Sequence, residues 1–119
     1  MPDIQLTWLK CQGEVWCKLS TVNLGHSHFN GMLGVYVIWH GGPTPATVYV
    51  GQGNIRDCLT QRRSDLQIQQ YADLGLYVTW ARVAHEQLNG VEKYLVEQLK
   101  PKILGPQQEV TPISVNRPW

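Results

Sequence analysis

The sequence has almost no charge imbalance: ten Lys and Arg stand against nine Asp and Glu, for a formal net charge of +1. A protein that grips nucleic acid without regard to sequence carries a marked basic excess, so any contact with DNA must come from a local patch. Long apolar runs are missing as well. None approaches the roughly 20 residues that span a bilayer, and Met1-Pro2-Asp3 lacks the basic and apolar regions of a secretion signal, so a cytoplasmic protein is expected. Cysteine is scarce. Cys11, Cys17 and Cys58 cannot close into a full set of disulfides, and a domain of 119 residues does not need them, so reduced thiols are expected. Internal repeats and low-complexity tracts are also absent.

What is present fits one globular unit. A hydrophobic fraction of 43% with a charged fraction of 16% suits a chain that buries a core, because a disordered one has low hydrophobicity or high net charge. The length is that of a single ordinary domain. Five tryptophans are many for such a chain, and Trp8, Trp16, Trp39 and Trp80 lie in or beside apolar runs, where large rings supply core area.

The chain opens with two candidate edge strands, the alternating Ile4-Gln5-Leu6-Thr7-Trp8-Leu9 and the apolar stretch from Val15 to Leu19. Gly34-Val35-Tyr36-Val37-Ile38-Trp39 is a stronger strand signal, ended by the turn-forming His40-Gly41-Gly42-Pro43. Thr47-Val48-Tyr49-Val50-Gly51 follows, so the two runs predict a β-hairpin with a loop of several residues. Asn54 is a good helix cap, and Ile55, Cys58 and Leu59 form a narrow apolar stripe among Arg56, Arg62 and Arg63. Ser64-Asp65 predicts a second, short helix over about 66–72. The strand formers of Leu76-Tyr77-Val78-Thr79-Trp80-Ala81-Arg82-Val83 predict a central strand covered on both faces. Val91, Leu95, Val96 and Leu99 predict an amphipathic helix over about 86–100, stopped by Pro101.

This order, with Gly34-Val35-Tyr36 opening the first core strand and Tyr49-Val50-Gly51 ending the second, resembles the GIY-YIG nuclease family. The resemblance covers about residues 32–102. It includes the Gln52-Gly53-Asn54 turn into a helix and the stretch Gly90-Val91-Glu92-Lys93-Tyr94-Leu95 before Leu99-Lys100-Pro101. It implies a mixed α/β (α+β) fold whose small, mainly antiparallel, three-stranded central sheet is flanked by helices. Residues 1–31 would then be an N-terminal extension with possible edge strands, and 103–119 an extended tail packed on the same domain. The implied activity is DNA endonuclease cleavage, hydrolysing phosphodiesters with Mg²⁺ or Mn²⁺.

Phosphodiester cleavage needs a nucleophile, a way to deprotonate it, and cations to hold charge on phosphorus. The resemblance assigns Tyr36 and Tyr49 to activating water and orienting phosphate, and Glu92 to holding the metal, a role suited to a hard, largely hydrated cation. Arg56, Arg63, Gly51 and Gln52 are candidates for contacting phosphate or nucleic acid. The sequence departs from the family where the first helix should carry an arginine just before a leucine: that place reads Cys58-Leu59. Losing one preorganised charge donor costs about 100- to 1000-fold in rate. Arg62 lies about 40° round the helix from Cys58 and Arg56 about 200°, so Arg62 is the better substitute. Leu104-Gly105 stands near the place of the family's late asparagine, a second departure.

Two other readings use the cysteines. Cys58, near a helix start with Arg56 and Arg62 around it, is either a reactive thiol or, with no partner base in sequence, a small buried apolar residue. Cys11, Cys17, His26 and His28 offer four donors for a tetrahedral zinc site, at a spacing that matches no common zinc pattern, against two buried thiols and two loop imidazoles. The leading expectation is a GIY-YIG-type DNA endonuclease. The alternative is a noncatalytic module of the same fold that binds nucleic acid or a protein partner, and homodimerisation is one route to engaging two strands.

Overall fold

The computed structural model describes residues 2–107 and 109–119. Its elements in chain order are strand β1 (Cys17–Lys18), strands β2 (Leu33–His40) and β3 (Ala46–Asn54), helix α1 (Ile55–Arg63), the short helix α2 (Leu66–Gln69), strand β4 (Leu76–Arg82) and helix α3 (Leu88–Leu99). The sheet is antiparallel throughout, in the order β1-β4-β2-β3. Among the described residues it has four strands where three were expected. The fourth is β1, a two-residue strand inside the apolar stretch from Val15 to Leu19, paired with Tyr77 and Val78 at the sheet edge. The other candidate edge strand, residues 4–9, forms no strand: Ile4 makes an isolated bridge to Val115.

Period-two alternation sorts each strand between two faces. Tyr36, Ile38, Val78 and Trp80 pack with Ile55 and Leu59 of α1, Ile68 of α2, and Leu19 and Phe29 of the N-terminal segment. On the other face, Val35, Val37, Val50 and Ala81 meet Val91 and Leu95 of α3, together with Leu6 and Val115. Most of these side chains have no accessible surface, and each one of Val or Leu size contributes about 1.5–3 kcal/mol relative to exposure. A bulge between Ile38 and Trp39 breaks the alternation opposite Val48, which puts Val48 and Tyr49 in the same cluster.

Local signals set the helix ends. The Asn54 side chain accepts from the Asp57 amide at 3.1 Å, starting α1, and Asp65 accepts from the Gln67 amide at 2.9 Å, starting α2. α2 is shorter than expected, ending at Gln69 and giving way to a 3-10 turn at Ala72–Leu74. α3 likewise begins two residues late, after a 3-10 turn at His85–Gln87, and ends where Lys100 turns left-handed before Pro101.

The reduced state expected for all three cysteines is corrected for two of them: Cys11 and Cys17 are joined in a disulfide. Gly13 and Glu14, with φ of 79° and 60°, reverse the chain so that the Cys11 amide donates to the Val15 carbonyl at 2.8 Å, leaving the two Cα atoms 5.2 Å apart. This takes two donors from the four-residue zinc set. The segment after α3 runs along the outer edge of β3, where the amides of Lys102 and Ile103 donate to the Thr47 and Val48 carbonyls. Further on, the Ile113 amide donates to Gly90, and the Asn116 side chain both accepts from the Leu6 amide and donates to the Leu6 carbonyl. Among the described residues, no helix is long and apolar enough to cross a membrane.

Candidate active-site cleft

β2, β3, α1 and α3 converge on a cleft of about 260 Å³ lined by Tyr36, Tyr49, Gly51, Gln52, Cys58, Gln61, Arg62, Glu92 and Pro106. The two tyrosines are not cross-strand partners. Tyr36 stands opposite Gly51, and Tyr49 opposite Ile38. They are diagonal neighbours in a regular stretch of the ladder, so strand alternation brings their rings to one face with centroids 6.1 Å apart. Gly51 makes room for this arrangement, since a Cβ there would overlap the Tyr36 hydroxyl. Its contribution is space next to the phenol.

Arg62, from the last turn of α1, joins the constellation. Its Nε donates to the Tyr36 hydroxyl at 3.2 Å, its Nη1 pairs with Asp65 at 2.9 Å, and its guanidinium carbon sits 4.8 Å from the Tyr49 ring centroid. Burial works against its charge, but Tyr36, Tyr49 and Asp65 more than offset this and hold it above its usual range. It is a permanent cation. Cys58, one turn earlier, is half-buried and donates to the Gln52 carbonyl at 3.6 Å. Burial pushes the thiol up, more than Arg62 lowers it, so it is protonated near neutral pH. The geometry favours the unreactive reading of Cys58.

Burial also pushes both phenols up, Tyr36 furthest, with Arg62 only partly offsetting it, and neither ionises near neutral pH. The Tyr36 oxygen accepts from Arg62, leaving its own proton to donate. Among the described residues, Glu92 is the one carboxylate lining the cleft. Burial alone pushes it up to about 7. Among the described residues no three His, Cys, Asp or Glu side chains gather as a metal cluster, so an ion here would have a single carboxylate and would keep most of its water.

Arg56 and Arg63 lie elsewhere. Arg56 donates to the Leu24 and His26 carbonyls and to Asn30 Oδ1 at 2.7, 2.9 and 2.8 Å. Arg63 donates to the Leu19 carbonyl at 2.7 Å and to that of Val22. Both guanidinium groups hold the N-terminal segment, and neither lines the cleft. Gln52 does line it, with its side-chain amide donating to Asn89 Oδ1 at 2.7 Å. Gly105 is closed to a side chain, since a Cβ there would meet the Tyr49 hydroxyl at 2.5 Å.

Comparison with protein-family models, with curated proteins and with solved structures returned no match. The cleft therefore stands on its own geometry. Sequence reasoning missed Asp65, Gln61 and Asn89. Asp65 had a readable signal, three residues after Arg62, but its role as a helix cap masked its second role as the partner of Arg62.

Proposed function

We propose that the cleft is a GIY-YIG-type phosphodiester hydrolase site acting on DNA. The observation that carries this reading is the meeting, in one cleft, of two neutral phenols, a permanent guanidinium and a half-buried carboxylate from four separate elements. The donor set suits a hard cation. Burial is what raises Glu92, and the charge of Mg²⁺ or Mn²⁺ would offset it and polarise phosphate oxygens.

The chain's own groups divide the remaining work. Arg62 faces the cleft close to where the missing helix arginine would start, and meets developing charge on a phosphate. Tyr36 is held by Arg62 and keeps its proton, and Tyr49 presents a second neutral donor. Such fixed donors, already in place before reaction, are the largest source of stabilisation in reactions of this kind. Under this reading the protein works in the cytoplasm, a compartment that keeps most thiols reduced. The Cys11–Cys17 bond would there be open to reduction.

The test is divalent-metal cleavage of mixed single-stranded, duplex, nicked and branched DNA by the native chain, Glu92→Ala and Cys58→Arg. Cutting by the native chain and not by Glu92→Ala is the expected result. A specific observation favours a second reading: Asp65 already engages Arg62, and Cys58 adds no charge. If only Cys58→Arg cuts, the native chain is a silent module of this type that binds nucleic acid or a protein partner. No cutting by any of the three ends the hydrolase proposal.

A further inference from the structure

A second groove, of about 580 Å³, lies where the β2–β3 hairpin meets the C-terminal end of α3. Three indoles build one side of it. Trp39 is nearly buried, Trp16 stands edge-on to it with centroids 5.2 Å apart, and Trp119 stands edge-on to Trp39 at 4.7 Å. Core packing accounts for Trp39 and Trp16. It does not account for Trp119, which leaves 54% of its surface exposed.

The charged side chains that line the groove are of one sign. Lys100, Lys102 and Arg117 are exposed and line the groove, and none of the described lining residues is acidic. The Lys10 ammonium lies 4.6 Å from the centroid of the Trp16 ring. In a chain of net charge +1, this is a local basic patch beside aromatic planes. Aromatic planes stack bases of any identity, and neighbouring cations follow the phosphates.

We propose that this groove binds single-stranded nucleic acid, with one base stacked on Trp119 and adjacent phosphates on Lys100, Lys102 and Arg117. The proposal does not rest on cleavage at the first cleft, although it fits it. Glu92 and Leu99 border the two grooves seven residues apart on α3, about 10 Å along its axis. That is on the order of three nucleotides of stacked strand.

The test is fluorescence anisotropy of a labelled oligothymidylate of about 12 nucleotides, titrated with the full chain in EDTA over a range of salt. EDTA removes metal-dependent cleavage from the readout. Trp119→Ala is expected to weaken binding about 5- to 100-fold, the loss of one stacked base, while Trp119→Phe keeps most of it and shows that the fold survives a change at this position. Lys100→Ala with Lys102→Ala is expected to lower the slope of log affinity against log salt by about 1.4, some 0.7 per phosphate contact. The proposal is overturned if the oligonucleotide fails to bind at low salt, if Trp119→Ala binds unchanged, or if an acidic proline-rich peptide binds more tightly than the oligonucleotide. Binding without cutting leaves this proposal standing and removes the hydrolase reading. Cutting without dependence on Trp119 does the reverse.

Discussion

The two sides of α1 use the same side chain in opposite ways. On one side, Arg56 and Arg63 direct their donors to main-chain carbonyls of the N-terminal segment and to Asn30. On the other, Arg62 meets a phenol, a carboxylate and an aromatic face at the edge of a cleft. All three are partly buried arginines on one nine-residue helix. What each guanidinium meets decides its role, and a count of positive charges would have treated them as equals.

The comparison breaks most visibly in activity. Arg62→Ala is expected to lower DNA cleavage by about 100- to 1000-fold, the cost of one positioned charge donor. Stability should change far less, by about 1–2 kcal/mol, because the Asp65 pair is partly exposed and the main loss is the hydrogen bond to Tyr36. Single-turnover cleavage beside urea unfolding checks both halves, and equal losses in both would erase the distinction between the two sides of α1.

Arg56→Ala and Arg63→Ala should do the opposite. Each leaves charge-assisted hydrogen bonds unmade and is expected to cost about 1.5–3 kcal/mol of stability, read as a lower urea midpoint at unchanged slope. Cleavage per folded molecule should hold. A fall in cleavage with intact stability would move either arginine back toward substrate.

Gly51→Ala probes the space that the phenol needs. Its Cβ would overlap the Tyr36 hydroxyl, and the resulting shift is expected to cost about 1–3 kcal/mol. Because the Cβ would also meet ring carbons of Tyr36, Tyr36→Leu combined with Gly51→Ala should cost less than the sum of the two single losses, and full additivity would mean that the clash lies elsewhere.

The smallest effect is in pH. The folded-state pKa of Glu92 is raised by burial to about 7, from 4.5. The folded state therefore binds this proton more tightly than the unfolded state does. The stability linked to Glu92 is fully present below about pH 4.5 and is lost as pH rises through about 7. Because the side chain is only half-buried, solvent screening holds the change to under about 1 kcal/mol. Melting temperature in EDTA from pH 5 to 8 should decline more for the native chain than for Glu92→Gln, and identical declines would remove Glu92 as the cause.

Much of the fold was legible because its signals are local. β2, β3 and β4 are dense runs of β-branched and aromatic residues, and Asn54 and Pro101 punctuate the helices as their chemistry dictates. β1 is two residues long and is a strand only because β4 lies beside it. The Cys11–Cys17 bond depends on a turn with a non-glycine residue at positive φ, which composition does not announce. At the cleft, Arg62 was distinguishable from Arg56 by helical angle. That Arg56 and Arg63 are already engaged was not, because their acceptors lie 26 to 44 residues away in sequence. Asn89, which holds Gln52 across 37 residues, was hidden for the same reason.

The run of residues 102–103 along β3 has a consequence for how copies of this chain behave when concentrated. An edge strand with free amides and carbonyls is a template for another strand, and sheets left open in this way grow by addition. Here Lys102 and Ile103 already take the Thr47 and Val48 carbonyls, and the opposite edge ends in the two residues of β1. Both edges are therefore shortened, β3 at its start by the tail and the far side by the brevity of β1. A second copy pairing edge to edge would find only part of β3 open, so crowding should favour contacts through side chains over fibres.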